Sequence, residues 1–281
     1  MPSTPIVDSH LHLWNPQLMR YPWLESNVLL NRPYLLEDYQ VAIADVQIES
    51  VVFIQCETTD FETEAMWVAE LAKQEPRIKG LVAWAPLEKG SAVREELERL
   101  KQIRLLRGIR RIIQFESDLE FCLQPGFIDG VRTLADFDLS FDICIDHRHM
   151  KNILKFVALV PEVAMVLDHI GKPAVKANQM HPWTSQMREL ARFPNVRCKI
   201  SGVATEANHQ EWRSDELLRY VESALEAFGP DRVMFGSDWP VCIQAIGYKR
   251  WIEILDEKLS TSSIDVQRRF WRDNASRFYR L

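Results

Sequence analysis

Residues able to do chemistry gather in two short segments that lie far apart in the chain. Asp8-Ser9-His10-Leu11-His12 follows two apolar residues, and Gly236-Ser237-Asp238-Trp239-Pro240 stands near the other end. If the first segment is a strand, alternation predicts Asp8, His10 and His12 on one face. Such a face makes a poor core, because buried polar groups are costly unless they are paired. Two histidines in this spacing, joined by a distant carboxylate, are typical of a metal or proton-transfer site.

The composition is that of a folded protein with a sizeable core, since 47% of the 281 residues are apolar. The net charge of −6 gives no reason to expect nucleic acid as a partner. We also see no membrane span and no signal peptide. Five scattered cysteines without a Cys-x-x-Cys pair favour a reducing compartment. We therefore expect a cytoplasmic protein that binds a small molecule, either as a monomer or as a homo-oligomer.

Eight short apolar segments recur along the chain and alternate with segments of helical spacing. The predicted strands are 6–12, 51–57, 78–86, 106–114, 139–146, 163–169, 196–202 and 233–239. The clearest predicted helices are 61–75, 92–103, 215–228 and 264–279. Strands alternating with helices imply parallel βαβ units. Eight such units over residues 1–281 predict a single-domain α/β protein, a (β/α)8 barrel of the TIM type.

One long segment, residues 13–36, interrupts this alternation of strands and helices. It contains Trp14, Tyr21, Trp23 and Tyr34 among several prolines. Loops of this length in a compact domain are usually functional. Two interpretations are open: the aromatic side chains stack on an apolar or sugar-like ligand, or they form a hydrophobic cluster that covers the barrel mouth.

Polar residues come last in most of the predicted strands. In a barrel of this type, catalytic groups lie at the carboxyl ends of the strands. The regularity therefore indicates an enzyme. The residues in question are His10, His12, Glu57, Arg110, Gln114, Asp146, His147, Asp168, His169, Lys199, Ser201 and Asp238.

Six motifs follow one another in order along the chain. They are Val7-Asp8-Ser9-His10-Leu11-His12-Leu13-Trp14, Tyr21-Pro22-Trp23, Leu106-Arg107-Gly108-Ile109-Arg110, Leu167-Asp168-His169-Ile170-Gly171-Lys172-Pro173, Cys198-Lys199-Ile200-Ser201-Gly202 and Phe235-Gly236-Ser237-Asp238-Trp239-Pro240-Val241. Together they resemble the amidohydrolase-related lactonases, a branch of the amidohydrolase superfamily that includes sugar lactonases and the pyrone-dicarboxylate lactonase. The resemblance implies a distorted (β/α)8 barrel and hydrolysis of an ester within a ring. The Tyr-Pro-Trp and Asp-Trp-Pro-Val sequences make the sugar-lactone members most similar, which implies an aldonolactone substrate.

The resemblance implies that His10, His12, His169 and Asp238 are the catalytic residues. An aspartate at a strand end can take a proton from water or pass one to the leaving alkoxide. Histidines, or a metal that they hold, can polarise the ester carbonyl.

Six further residues are candidates for substrate binding. Arg110 and Lys199 are cations that suit a carboxylate or a hydroxyl-rich ring. The alternative for both is an ion pair inside the barrel with Asp142, Asp146 or Asp8. His147 either lines the pocket or lies at a solvated helix start. The remaining candidates are Tyr21, Trp23 and Trp239.

Residues of the fourth predicted strand, 106–114, indicate how many metal ions the site could hold. Binuclear members of the superfamily use a bridging lysine or glutamate there, whereas this chain has Arg110, Arg111 and Gln114. We therefore expect no binuclear centre. A single zinc-like ion and a metal-free mechanism both stay open, with some preference for the ion. Its ligands would be His10, His12 and Asp238, joined in one version by His169.

Two other functions compete with lactone hydrolysis. Decarboxylases of the superfamily use the same strand-one histidines and strand-eight aspartate on aromatic acids and require a firmly held metal. A sugar-acid binder without activity would have no reason to keep Asp238 beside the histidines.

Overall fold

Eight parallel strands form a nearly closed barrel in the computed structural model, which describes residues 1–281. The strands follow one another around the sheet in chain order. They are β1 (Ile6–Leu11), β2 (Ile48–Ile54), β3 (Ile78–Ala83), β4 (Leu106–Ile109), β5 (Ser140–Ile143), β6 (Met165–Leu167), β7 (Val196–Ile200) and β8 (Val233–Phe235). The predicted (β/α)8 barrel is confirmed.

Helices separate the strands, as the βαβ pattern requires. They are α1 (Leu36–Ile43), α2 (Phe61–Gln74), α3 (Arg94–Leu100), α4 (Pro125–Asp136), α5 (Met150–Leu159), α6 (Trp183–Leu190), α7 (Ser214–Phe228), α8 (Tyr248–Leu259), α9 (Ile264–Arg268) and α10 (Asn274–Tyr279). A π-helical segment, Arg269–Asp273, joins α9 to α10. None of these helices combines the length and the apolar character that crossing a membrane requires.

The first and last strands meet through their carboxyl ends. The backbone N–H of Asp238 donates to the His10 carbonyl (2.9 Å), and that of His12 donates to the Trp239 carbonyl (2.8 Å). These two bonds close the ring of strands. They also place the histidine pair beside the aspartate, although the two segments stand far apart in sequence.

An apolar cluster fills part of the barrel interior. It joins strand residues such as Val7, Val52 and Val166 to Phe278 and Tyr279 of α10. The last helix therefore packs against the inside of the barrel. Branched aliphatic side chains at these strand positions are what parallel strands with two covered faces require.

Asp8 does not share a face with His10 and His12, so that prediction is wrong. The pairing of β1 with β2 shifts between Asp8 and Leu11, and this irregularity interrupts the alternation. The Asp8 carboxylate instead accepts from the backbone N–H of Ser237 (2.9 Å) and from the hydroxyl of Tyr248 in α8 (3.0 Å). Burial raises the pKa of Asp8 to about 6. Asp8 thus links β1 to β8 and α8.

Candidate active site

A cavity opens at the carboxyl ends of the strands. Its lining combines apolar side chains with a few polar ones, as small-molecule sites do. Part of its wall is apolar and is made by Trp23, Ile112, Phe115 and Val241. The polar and charged part of the wall is made by His12, Glu57, Arg110, Gln114, His169, Lys172 and Asp238.

His10, His12 and Asp238 bring three potential ligand atoms together in the buried part of the site. The Nε2 atoms of the two histidines are 3.1 Å apart. Asp238 Oδ1 lies 3.4 Å from Nε2 of His12 and 3.7 Å from Nε2 of His10. The Nδ1–H of His12 donates to the carbonyl oxygen of Ile54 (2.7 Å). Because a carbonyl oxygen only accepts, the Nε2 lone pair of neutral His12 is free toward the site.

His169 approaches the same carboxylate from β6. Its Nε2 lies 3.9 Å from Asp238 Oδ1, and its Nδ1 lies 2.9 Å from the hydroxyl of Ser201. His169 and Asp238 have φ values of +52° and +58°. Side chains other than glycine rarely adopt this left-handed backbone, which concentrates at functional sites. The turn after each strand therefore aims these side chains into the cavity.

The site holds neutral imidazoles beside an ionised carboxylate. Burial lowers the pKa of His10 and of His169 well below the usual value and that of His12 to a lesser degree. Burial opposes ionisation of Asp238, but its neighbours His169 and His12 more than offset that effect and lower the pKa of its carboxyl. At neutral pH the three histidines are therefore able to accept hydrogen bonds or to bind a metal, and the Asp238 carboxylate is able to accept a proton.

The donor set fits one zinc-like ion. In a tetrahedral zinc site with bonds of about 2.0–2.1 Å, ligand atoms lie roughly 3.3 Å apart. The facing nitrogens of His10 and His12 and the nearby oxygen of Asp238 match this spacing. A second group of close ligand atoms belongs to His10, Asp168 and His169.

Arg110 lines the cavity, but the protein already engages most of its guanidinium. One terminal nitrogen donates to the carbonyl oxygen of Gln55. The other lies 3.4 Å from Asp168 Oδ2 and 3.3 Å from Nε2 of His10. Arg110 thus forms an internal ion pair and also contributes to the wall. Its partner is Asp168, which was not among the three acids proposed for it.

Lys199 lies beneath the cavity and does not line it. Its ammonium is fully buried and contacts Asp142 Oδ2 (2.6 Å), Asp168 Oδ1 (2.9 Å) and His10 Nδ1 (3.2 Å). The hydroxyl of Tyr279 also donates to Asp142 (2.6 Å). For Lys199 the structure thus favours the internal ion pair over substrate binding, with Asp142 as one of its two partners.

Of the four remaining binding candidates, only Trp23 reaches the cavity, where its indole N–H donates to the Cys56 carbonyl (2.7 Å). Tyr21 is buried with its hydroxyl near the sulfur of Met19. Trp239 packs against Tyr34, and His147 lies against the backbone of Lys172. Most aromatic residues of segment 13–36 therefore form a hydrophobic cluster.

Three polar residues of the cavity were not among the sequence candidates for the site. Glu57 and Gln114 carried a signal, because each ends a predicted strand. Lys172 belongs to the motif that begins at Leu167, but its position in the sequence did not indicate that it would line the site. All three line the cavity with Asp238.

Comparison with known proteins agrees with this fold. The sequence model of the amidohydrolase family matches residues 7–281. An L-fucono-1,5-lactonase of Burkholderia multivorans is 33% identical over 290 residues, which cover 98% of this chain and 96% of that protein. An L-rhamnono-gamma-lactonase of Scheffersomyces stipitis is 25% identical over 98% of each chain. The crystal structure of a B. multivorans amidohydrolase with bound zinc matches with a TM-score of 0.90 and 31% identity, over 99% of this chain and 100% of that chain.

The chain belongs to the amidohydrolase family, and its enzyme class is that of the hydrolases. The family membership that the six motifs predicted is confirmed.

Proposed function

We propose that this hydrolase opens the ring ester of a small sugar-acid lactone. The observation that carries the proposal is the ionised carboxylate of Asp238, which lies beside neutral His12 and His169 in the cavity at the carboxyl ends of the strands. The relatives named L-fucono-1,5-lactonase and L-rhamnono-gamma-lactonase support a sugar lactone as the substrate class.

Asp238 is the proposed general base and acid. Its Oδ1 takes a proton from water as the water oxygen bonds to the ester carbonyl carbon. When the ring C–O bond breaks, Asp238 returns that proton to the leaving alkoxide, which becomes a hydroxyl. The product is an open-chain hydroxy acid. His169, whose Nδ1 contacts the hydroxyl of Ser201, has its Nε2 3.9 Å from the same carboxylate oxygen and therefore lies beside the proposed position of the water and the ester carbonyl.

His10, His12 and Asp238 are the residues that would hold a single ion, which when bound polarises the carbonyl and lowers the pKa of water. Their neutral imidazoles and ionised carboxylate are the forms that bind metal. The guanidinium of Arg110 lies beside His10, and its positive charge would repel a second metal ion there. We infer one ion at most.

A pH-indicator screen tests the activity. The panel contains L-fucono-1,5-lactone, L-rhamnono-γ-lactone, other γ- and δ-aldonolactones and unsubstituted lactones, each run with and without a chelator. Acid release from a sugar lactone at neutral pH is the expected result. Inert lactones together with loss of CO₂ from an aromatic acid would replace the proposal with the decarboxylase alternative.

A further inference from the structure

Glu57 lies just after the end of β2, at the cavity, and its backbone is strained there. Its φ is +54°, in the left-handed region that residues other than glycine rarely adopt. Such a conformation persists only where the surroundings enforce it, and it concentrates at functional sites. The half-buried side chain lines the same cavity as Asp238.

Gln55 enforces this conformation. The side-chain Nε2–H of Gln55 donates to Glu57 Oε1 (2.9 Å), and its Oε1 accepts from the backbone N–H of Glu57 (2.6 Å). Gln55 is itself buried, and its carbonyl oxygen accepts from Arg110. The Glu57 carboxylate is therefore fixed before any ligand arrives, and its Oε2 has no hydrogen-bond partner in the protein.

The cavity offers few other acceptors for a hydroxyl-rich ligand. Arg110 and Lys172 can only donate. Asp238 is engaged by the histidines and by the proposed proton transfer. Gln114 Oε1 already faces the thiol of Cys144 at 3.7 Å. The histidines belong to the proposed catalytic group, so Glu57 Oε2 is the carboxylate oxygen of the cavity that neither the protein nor the proposed chemistry uses. Carboxylate oxygens accept strong hydrogen bonds.

We propose that Glu57 is the specificity residue that accepts hydrogen bonds from ring hydroxyls of the substrate. The inference rests on the proposed lactone hydrolysis and deepens it, because it selects polyhydroxylated lactones over plain ones. A hydroxyl bound to a fixed carboxylate is recognised by charge and position, and a ring without hydroxyls leaves that carboxylate without the bond.

The test compares Glu57→Gln with the wild type on an aldonolactone and on unsubstituted δ-valerolactone. The amide keeps the acceptor that faces Gln55 but replaces the free carboxylate oxygen with a donor. We expect kcat/KM for the aldonolactone to fall about 10- to 100-fold, mainly through KM, as for loss of a hydrogen bond to a charged group. For δ-valerolactone we expect kcat/KM within about twofold of wild type.

Glu88→Gln is the matched control, since Glu88 pairs with Arg111 and does not line the cavity. It should match the wild type on both substrates. An equal loss on both substrates by Glu57→Gln, or no loss on either, would overturn the assignment of Glu57. If the wild type opens neither lactone, the proposed function itself fails and the assignment fails with it. Matching thermal midpoints for the three proteins confirm that each one is folded.

Discussion

The ammonium of Lys199 lies 3.2 Å from Nδ1 of His10, the ring nitrogen that does not face His12. The Asp168 carboxylate lies on the same side of the ring, with Oδ1 3.4 Å from Nδ1, and is the group to which that nitrogen would donate if His10 held a metal. The same ammonium contacts Asp142 and Asp168, which are also fully buried. The floor of the site is an ion network, and its cost of desolvation is offset only while every partner is present.

Removal of this cation should destabilise the protein strongly. Lys199→Met keeps the length of the side chain but leaves two buried carboxylates without it, so we expect a loss of about 3–5 kcal/mol in the free energy of unfolding. Urea unfolding measures the loss. Lys249→Met is the control, because Lys249 forms an exposed pair with Asp45 and its removal should leave stability unchanged. Similar unfolding midpoints for the two variants would contradict the role given to the network.

Asp238→Asn should lower kcat by roughly 10²–10⁴-fold, the contribution typical of a general acid or base. The amide keeps the shape of the side chain and removes its charge and basic site. Circular dichroism and the thermal midpoint check that the variant is folded. A variant with near wild-type kcat on the true substrate would show that Asp238 is structural.

Zinc binding should depend on His12. We expect the wild type to retain about one equivalent of zinc after dialysis. The expected result for His12→Phe is loss of the ion, because its Nε2 faces Asp238 at 3.4 Å. His147→Phe serves as the control, since His147 lies outside the cavity lining. Metal analysis by mass spectrometry measures both, and equal zinc in the two variants would refute the ligand set.

Gly202 should be required for the position of His169. A Cβ at Gly202 would lie 2.6 Å from His169 Nδ1, and its φ is +59°. Gly229 has a similar φ of +70° with nothing within 4 Å of the added atom. Both alanine variants should lose about 1–3 kcal/mol of stability from backbone strain. Only Gly202→Ala should also lower kcat, because only its added Cβ would meet His169. Steady-state kinetics of the two variants separate this effect from the loss of stability. Equal kcat values for the two variants would contradict the role given to Gly202 in positioning His169.

Glu64 should make the protein less stable as the pH rises. Burial raises the pKa of this carboxyl from 4.5 to about 8. The folded chain therefore holds a proton that the unfolded chain has released, and the free energy of unfolding falls as pH rises from 4.5 to about 8. Asp8, with a pKa raised to about 6, adds to the fall only below that pH.

Glu64→Gln removes this titration and keeps an acceptor for the Cys56 N–H, which both Glu64 oxygens now accept. Its free energy of unfolding should change less than that of the wild type between pH 6 and pH 8, by on the order of 2 kcal/mol. Urea unfolding at several pH values measures the difference. Parallel curves for the two proteins would contradict the raised pKa.

The eight strands were predictable because apolar runs and turns recur in a regular order. Each predicted strand nonetheless extended past the observed carboxyl end; the segment 163–169, for example, contains β6 only as Met165–Leu167. The excess residues in such segments include the polar residues that line the cavity, such as Glu57, His169 and Asp238. They leave the sheet hydrogen bonding in order to point into the cavity, and sequence periodicity does not register that change.

Side-chain direction was the part that sequence could not supply. Glu57, His169 and Asp238 reach the cavity through left-handed backbone without any glycine to indicate it. Asp8 faces α8 because of an irregularity in β1 that leaves no mark on the pattern of residue types. Lys199 and Arg110 each lie toward the carboxyl end of an apolar segment, yet only Arg110 lines the cavity.

The contact between β1 and β8 has a consequence for how the enzyme forms. The hydrogen bond from Ser237 N–H to the Asp8 carboxylate joins residues 229 positions apart. Closing so long a loop is entropically costly and slow, and chains rich in such pairings fold slowly. During synthesis His10 and His12 are made early, and almost the whole chain must follow before Asp238 can contact them. The candidate active site is therefore assembled only when the ring of strands closes, and a partly folded barrel lacks it.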